Sequence, residues 1–192
     1  KLPNLRKIID EGSIVDSTVV AGATETKPGW TEILTGYKSA SLGILNNKEY
    51  RPIPKGYTIF ERLENYYGDD KIFTAFITGK TANLSARGPH KICVNCLTRI
   101  PATYEETLWW DENGNAPLKN GEKKRIFEER AGEPYYHTKD ALDFYQRDMG
   151  EASNVGKKAV GLISENKNKR FFMFFHFGEP DELGHVYGGS SE

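Results

Sequence analysis

The sequence has 192 residues, of which 38% are hydrophobic, and this is enough apolar material to form a buried core in one domain. Its 26 basic and 27 acidic residues leave a formal net charge of −1, which argues against a broad electrostatic footprint for nucleic acid or an anionic membrane surface. The longest apolar run, Phe171 to Phe175, is far too short to span a bilayer. We therefore expect any partner to be recognised locally, with no nucleic-acid or membrane binding, and the sequence leaves the oligomeric state open.

The N-terminal part of the chain alternates helical and strand patterns. Residues 2–13, LPNLRKIIDEGS, have apolar side chains at helical spacing and predict a first helix. The β-branched run STVVAGA at 17–23 predicts a strand, and Pro28 fits the first position of a second, short helix. YTIFERLENYYG at 57–68 predicts a third helix, and KIFTAFITG at 71–79 predicts a buried strand. A helix followed by a strand favours parallel α/β packing.

The C-terminal part contains a polar segment and then returns to regular patterns. Residues 82–135 are polar and rich in turn residues, which predicts an irregular insertion within a single domain covering 1–192. TKDALDFYQRDM at 138–149 has helical spacing, and so does NVGKKAVGLISENK at 154–167. RFFMFFHF at 170–177 is almost continuously apolar and predicts a central parallel strand covered on both faces. The predicted fold class is α/β, with a mostly parallel sheet flanked by helices.

The two cysteines, Cys93 and Cys96, form the motif ICVNC. A C-x-x-C pair can be half of a zinc site, a redox pair or a disulfide. A second pair of zinc ligands is missing at a recognisable spacing, although His90 is close in the sequence. We therefore favour a local disulfide or two thiols without a function, and their role stays open.

Thr26 is the first candidate for chemistry. If Pro28 is the first helical residue, Lys27 caps the helix and Thr26 lies just outside its N-terminus. Unpaired backbone amides and the helix dipole favour an anion at this place. A hydroxyl group here could attack phosphorus if a bound metal ion lowered its pKa. The alternative is that Thr26 only helps to begin the helix.

The second candidate is the stretch FHFGEPDELGH. Asp181 and His185 follow a predicted strand, and open α/β sheets place their ligands beyond the carboxyl ends of strands. Because they are four positions apart on a helical turn, the two side chains can face the same side and offer a carboxylate and an imidazole to a zinc-like ion. These two ligands are only half of the set that a zinc ion needs. The alternative is an acidic first helical turn beside an unrelated surface histidine.

Three segments together carry a resemblance to one family. LPNLRKIIDEG is similar to the helix that follows the first metal-binding strand of the alkaline phosphatase superfamily. TKPGWTEILTGYKSASLGILNN resembles the nucleophile segment of that superfamily, and EPDELGHVYG matches its metal-binding segment. The nucleotide pyrophosphatase/phosphodiesterase and sulfatase-like branches are the most similar. The resemblance covers residues 1 to about 80 and 140–192, and it lapses across the polar segment.

The resemblance implies roles for four residues. Thr26 would be the nucleophile and a ligand of one metal ion, while Asp181 and His185 would bind the other. Asn47 would hold a non-bridging phosphate oxygen, as an oxyanion-hole donor does, and Asn46 is the near alternative. The implied enzyme hydrolyses phosphate mono- or diesters with two divalent ions, for which zinc is the expected metal.

Departures from the family pattern leave alternatives open. Sulfatases carry Cys or Ser at the nucleophile position followed by Pro and Arg, whereas Thr26, Pro28 and Trp30 stand here, so phosphate esters are favoured over sulfate esters. A sulfatase-like hydrolase or a phosphotransferase of the same superfamily remains the alternative. The family also needs an Asp just before LPNL and a later Asp-His pair, and the sequence contains neither. We therefore expect an N-terminal piece of a larger enzyme, incomplete and inactive by itself.

The rival from another class is a binding module that keeps the fold and has lost its metal sites. Most relatives of the enzyme type work outside the cytoplasm, which favours an extracytoplasmic location.

His176, inside an apolar strand, is expected to be a core histidine. The pairs Trp109-Trp110 and Tyr135-Tyr136 could stack on a nucleobase, but such pairs more often pack an inserted segment onto its domain.

Overall fold

The structure is a computed structural model that describes residues 3–15, 22, 24–80, 84–96, 118, 121 and 124–188. Two short 3-10 turns lie at Ser39–Leu42 and Thr138–Asp140. The helices and strands, in chain order, are α1 (Pro3–Glu11), α2 (Thr26–Thr35), α3 (Ile59–Tyr67), β1 (Phe73–Thr78), β2 (His90–Cys93), β3 (Phe127–Arg130), β4 (Phe144–Gln146), α4 (Ala152–Asn166), β5 (Phe171–His176) and α5 (Glu179–Tyr187).

A parallel sheet with the order β4-β1-β5 forms the centre of the molecule. Strand β1 pairs with β5 from Phe73 opposite Phe171 to Thr78 opposite His176, and it pairs with β4 on its other side. Because all three strands run in the same direction, their carboxyl ends meet at one edge of the sheet. That edge is where the loop after β1 and helix α5 after β5 begin.

Helices cover both faces of the sheet. On one face, Phe76 of β1 packs with Leu34 of α2 and Phe60 of α3. On the other face, Ile77 packs with Val155 and Leu162 of α4. Strand β1 is buried along almost all of its length. The predicted α/β fold with a parallel sheet flanked by helices is therefore confirmed.

Local signals explain where α3 begins and α2 ends. Thr58 and Glu61 form a capping box, in which each side chain accepts a hydrogen bond from the other residue's backbone N–H. Helix α2 ends at Gly36, which adopts a left-handed conformation with φ of 71° and donates its N–H to the Glu32 carbonyl. Both features depend only on residues that are a few positions apart in the sequence.

The helix predicted at 138–149 is wrong. These residues form the 3-10 turn Thr138–Asp140 and the short strand β4. The physical reason is tertiary: Phe144 and Tyr145 point to opposite faces of the sheet and pack into the two different core clusters. Asp143 also accepts a hydrogen bond from the backbone N–H of Thr74 at 2.8 Å. Pairing with β1 therefore overrides the helical spacing of the local sequence.

The position predicted for β5 is also corrected. β5 is parallel as expected, but β1 is the central strand, and β5 lies at an edge of the sheet as far as the described residues show. Phe171 is 39% exposed and the next four residues are half-buried. The strand predicted at 17–23 lies outside the described residues except for Gly22.

The segment 82–135 contains regular structure in the part that the structure describes. β2 and β3 pair antiparallel, with His90 opposite Arg130 and Cys93 opposite Phe127. Cys93 and Cys96 form a disulfide, one of the alternatives that the C-x-x-C motif left open. Tyr135, at the end of the segment, is fully buried and packs against Phe76, as expected for a residue that anchors the segment to the domain. Trp109-Trp110 lies outside the described residues.

The domain limits, 1–192 for one domain with 82–135 as an insertion, stay a prediction. In the described part of the chain, no helix combines the length and the apolar character needed to cross a membrane.

Candidate active site

Thr26 is the first residue of helix α2. The predicted helix start at Pro28 is wrong by two positions, because the carbonyl of Glu25 already accepts the N–H of Gly29 at 2.9 Å and Glu25 is the N-cap. Pro28 is tolerated within this first turn because the N–H that it lacks would have no intrahelical partner there. Thr26 is half-buried. Its hydroxyl therefore belongs to a helix N-terminus, a place that favours anions.

Asn47 lies against this first turn. Its Oδ1 accepts the backbone N–H of Lys27 at 2.9 Å, and its own N–H donates to Oε2 of Glu25 at 2.7 Å. Glu25 and Lys27 are the two chain neighbours of Thr26. The loop between α2 and Asn47 therefore returns to hold the proposed phosphate-binding amide beside the proposed nucleophile.

The side chain of Asn46 bonds within its own turn of the chain. Its Oδ1 accepts the N–H groups of Lys48 and Glu49 at 2.8 and 2.7 Å, and its Nδ2 donates to Oε2 of Glu49 at 3.1 Å. These contacts close a local turn of the kind that Asn side chains commonly form. Of the two adjacent amides, the structure brings only Asn47 to the helix that begins with Thr26.

Lys27 is buried beside Thr26, and its side chain contacts Glu133, Asn47 and Tyr50. The side chain of Lys27 is 5% exposed, and its Nζ lies 3.4 Å from Oε2 of Glu133. The Nζ donates to the backbone carbonyl of Asn47 at 2.9 Å and lies 3.7 Å from the ring centroid of Tyr50. Burial lowers the pKa of Lys27, and the charge of Glu133 opposes this shift.

Tyr50 completes this group of charged and polar side chains. Its hydroxyl donates to Oε1 of Glu133 at 3.2 Å, and burial together with the Glu133 charge raises the pKa of Tyr50 to about 12. Sequence reasoning missed Lys27, Tyr50 and Glu133. Glu133 comes from the far end of the polar segment, and no local pattern predicts that it contacts the start of α2.

Asp181 and His185 lie together on α5, as the sequence predicts. His185 Nε2 is 3.7 Å from Oδ1 of Asp181, and the two side chains are 80% and 46% exposed respectively. The Lys80 ammonium forms an ion pair with Oδ2 of Asp181. A hydrogen bond from Lys80 is the main reason why the pKa of Asp181 lies below its usual value. This edge of the sheet therefore already attracts a positive charge.

Trp30 joins helix α2 to the end of β5. Its ring lies 5.3 Å from Phe174 and 5.1 Å from His176, measured between centroids, and both contacts are edge-to-face. His176 is 7% exposed, which agrees with its prediction as a core residue. The residue is not fully satisfied, however, because its Nδ1 has no hydrogen-bond partner among the described residues. Burial and the nearby Lys80 charge lower the pKa of His176.

The structure thus brings Asn47 to the two chain neighbours of Thr26 and places Asp181 beside His185. Thr26 begins the helix that carries Trp30, and Asp181 and His185 follow the strand that ends at His176, so the contact between Trp30 and His176 links the elements next to these residues. None of the hydrogen bonds and ion pairs found among the described residues joins Thr26 to Asp181 or His185. Their assembly into one site stays a prediction.

The donor types at α5 fit a divalent metal ion in kind. Carboxylate oxygen and imidazole nitrogen are ligands that Zn²⁺ takes in proteins, and a cation, the Lys80 ammonium, already pairs with this carboxylate. Among the residues that the structure describes, no group of three or more His, Cys, Asp or Glu could hold a metal ion. Asp181 and His185 are therefore part of a ligand set and do not complete one.

Comparison with known protein families supports the same chemistry. The model of the family "Type I phosphodiesterase / nucleotide pyrophosphatase" matches residues 1–192. This family is part of the alkaline phosphatase superfamily, so the resemblance carried by the nucleophile and metal-binding segments is confirmed. A comparison with curated proteins and one with solved structures found no match.

Proposed function

The chain belongs to the type I phosphodiesterase/nucleotide pyrophosphatase family, and we propose that Thr26 is its nucleophile and attacks the phosphorus atom of a small-molecule phosphate ester. Family membership supports a hydrolase that acts on phosphoryl groups. The use of threonine, the dependence on a metal ion and the roles of individual residues are the proposal.

The contact between Asn47 and the first turn of α2 is the observation that carries the proposal. A backbone N–H can only donate, so the atom of Asn47 that faces the Lys27 N–H is the carbonyl oxygen Oδ1. The amide Nδ2 is then the donor that Asn47 offers to an anion. Together with the N-terminus of α2, it would supply hydrogen-bond donors near residue 26 for the oxygens of a phosphoryl group.

In the proposed reaction, Thr26 Oγ1 forms a bond to phosphorus while the bond to the leaving oxygen breaks. The threonine proton is lost to solvent or to the leaving group, and water later cleaves the phosphothreonine. Asn47 binds a non-bridging oxygen in both steps. Thr26 would be a ligand of one divalent metal ion, which would lower the pKa of the attacking hydroxyl. Asp181 and His185 would hold a second ion, which would offset the negative charge that develops on the leaving oxygen.

The test compares Thr26→Ala with Thr24→Ala in the full-length protein. Thr24 is an exposed threonine two positions earlier, and it serves as the matched control. Turnover of a chromogenic phosphate diester should fall by roughly a thousandfold or more in Thr26→Ala, as it does when a nucleophile is removed from other hydrolases. Thr24→Ala should keep wild-type turnover. Full activity of Thr26→Ala rejects the assignment.

Two further measurements separate the alternatives. Acid quenching during turnover followed by mass spectrometry should find phosphate on the peptide that contains Thr26. Rates on monoester, diester and sulfate ester substrates, measured side by side, distinguish a phosphodiesterase from a phosphatase or a sulfatase-like enzyme. A binding module without activity would turn over none of them.

A further inference from the structure

We propose that Lys27 is a positioning residue, whose backbone N–H and side-chain ammonium hold Asn47 at two points and so orient its amide Nδ2 toward the phosphoryl group. This inference rests on the proposed function of Thr26 and Asn47. It assigns a role to a buried charge that the chemistry described above does not use.

The two contacts come from opposite ends of the same lysine. The backbone N–H donates to the side-chain Oδ1 of Asn47 at 2.9 Å, and Nζ donates to the backbone carbonyl of Asn47 at 2.9 Å. One contact therefore fixes the side chain of Asn47 and the other fixes its backbone. If the amide rotated by half a turn, Nδ2 would face the Lys27 N–H and two donors would oppose each other.

The surroundings of the ammonium group show what keeps it in place. Removing an ammonium ion from water costs several kcal/mol, which nearby partners must offset. Glu133 supplies the opposite charge, with only 13% of its side chain exposed, and the face of the Tyr50 ring supplies a cation–π contact. The Tyr50 hydroxyl also fixes the second oxygen of the Glu133 carboxylate.

The backbone around Glu133 is itself fixed. Its N–H donates to the carbonyl of Arg87 at 2.7 Å. Next to it, a Cβ placed on Gly132 would come within 3.0 Å of both Pro52 and Tyr136, so this stretch of chain is closely packed. The C-terminal end of the segment 82–135 therefore reaches the neighbourhood of Thr26 through a rigid contact.

A role in stability alone explains this arrangement less well. Buried ion pairs are a weak source of stability, and well-packed apolar residues can often replace them without loss. An apolar residue at position 27 could fill the same space beside Tyr50. It could not hold the carbonyl of Asn47, which is the contact that links this charge to the phosphate-binding amide.

The experiment is a double-mutant cycle between Lys27 and Asn47 in the full-length protein. Lys27→Met, Asn47→Ala and the double variant are compared on a chromogenic phosphate diester, with inhibition by orthovanadate measured in parallel. Lys27→Met should lower kcat/KM by about 10- to 100-fold, the usual effect of losing an outer partner of a functional group. Orthovanadate affinity should fall by a similar factor. In the Asn47→Ala background, Lys27→Met should change kcat/KM by less than about twofold, because the residue on which it acts is gone.

Control variants separate positioning from folding. Lys158→Met removes a lysine of α4 that contacts the ring of Phe144 in β4, far along the chain from this site, and it should leave kcat/KM unchanged. If Lys27→Met fails to fold, Glu133→Gln takes its place in the cycle. Glu133→Gln keeps an acceptor for Tyr50, removes the charge that holds Lys27, and should give a smaller loss that also disappears in the Asn47→Ala background.

Two outcomes overturn the inference. One is wild-type kinetics in Lys27→Met, and the other is a loss of equal size with and without Asn47. Thr26→Ala, measured alongside, shows whether only the positioning role or the proposed function itself has failed. If Thr26→Ala is inactive and the cycle is additive, only the positioning role fails; if Thr26→Ala is fully active, the proposed function fails and the positioning role fails with it.

Discussion

The indole ring of Trp30 meets the imidazole ring of His176 edge to face, with 5.1 Å between their centroids. Trp30 lies one turn into the helix that begins with Thr26, and His176 ends the strand that leads to Asp181. This contact is the packing link between the proposed nucleophile and the proposed metal ligands. We expect the stability of this packing to depend on the protonation of His176, because burial disfavours the charged form of an imidazole.

We expect His176 to make the protein less stable in mild acid. Burial lowers the pKa of His176 below its ordinary value of 6.5, so just below that pH the unfolded chain binds more protons than the folded chain. Stability is then lost as the pH falls from about 6.5 toward the lowered pKa of the folded state. His176→Phe, which keeps an aromatic ring against Trp30, should remove this part of the pH dependence.

The measurement is the melting temperature between about pH 7.5 and pH 5. The wild type should lose more stability over this range than His176→Phe. His137→Phe removes a histidine elsewhere and controls for the general loss of an imidazole. Equal slopes for the wild type and His176→Phe would contradict the prediction.

Asn47→Asp should impair catalysis and leave the fold intact. An aspartate keeps an oxygen acceptor for the Lys27 N–H, but it replaces the Nδ2 donor with a negative charge that repels phosphate. We expect kcat/KM for a phosphate diester to fall by about 100- to 1,000-fold, as it does when an oxyanion-hole donor is lost. Steady-state kinetics measure the effect, and circular dichroism checks the fold.

Asn46→Asp is the matched control for this variant. Asn46 bonds only to Lys48 and Glu49 among the contacts found, so its change should leave kcat/KM within about threefold of the wild type, a typical limit for a surface substitution. An equally large loss in both variants would mean that charge anywhere in this loop is harmful, and would remove the special role of Asn47.

Asp181→Asn and His185→Gln should lower the metal content of the protein. Each removes one of the two donors that α5 presents on adjacent turns, and activity should fall in parallel with bound metal. Chelation of the wild type should abolish turnover, and added zinc should restore it. Atomic emission on the dialysed protein measures the metal directly.

Glu182→Gln controls for the charge of α5, because Glu182 is an exposed acidic residue next to Asp181 on the same helix. It should retain both metal and activity. If both Asp181→Asn and His185→Gln kept the wild-type metal content, these two residues would be excluded as metal ligands.

Removal of the disulfide should have a small effect. Cys93 and Cys96 are only three positions apart, and closing so short a loop stabilises the folded state by about 2 kcal/mol in the chain-entropy account. Asn95 also holds this turn, since it donates to the Lys124 carbonyl and accepts the Ile126 N–H, each at 2.8 Å. We expect the variant with serine at both positions to fold and to keep its activity.

Denaturant unfolding compares the free energy of unfolding of the double serine variant with that of Asn95→Ala. Asn95→Ala removes the two hydrogen bonds to Lys124 and Ile126 and should cost about as much as the double serine variant, since each hydrogen bond contributes about 0.5–1.5 kcal/mol. A double serine variant that is much less stable than Asn95→Ala, or that loses activity, would show that the disulfide has a larger structural role.

The sequence alone determined the features that depend on neighbouring residues. The end of α2 at Gly36, the capping box of α3 and the buried strand β1 follow from propensities and caps that act within a few residues. The pairing of Asp181 with His185 follows in the same way, because residues four apart share one face of a helix.

Only the tertiary structure decided the features that depend on distant contacts. The segment 138–149 has helical spacing, yet it forms β4 because β1 offers a partner strand and the two faces of the sheet accept Phe144 and Tyr145. The contact of Asn47, rather than Asn46, with the first turn of α2 and the approach of Glu133 to Lys27 have the same origin. Local spacing cannot encode these contacts, because their free energy comes from groups that meet only after the chain has folded.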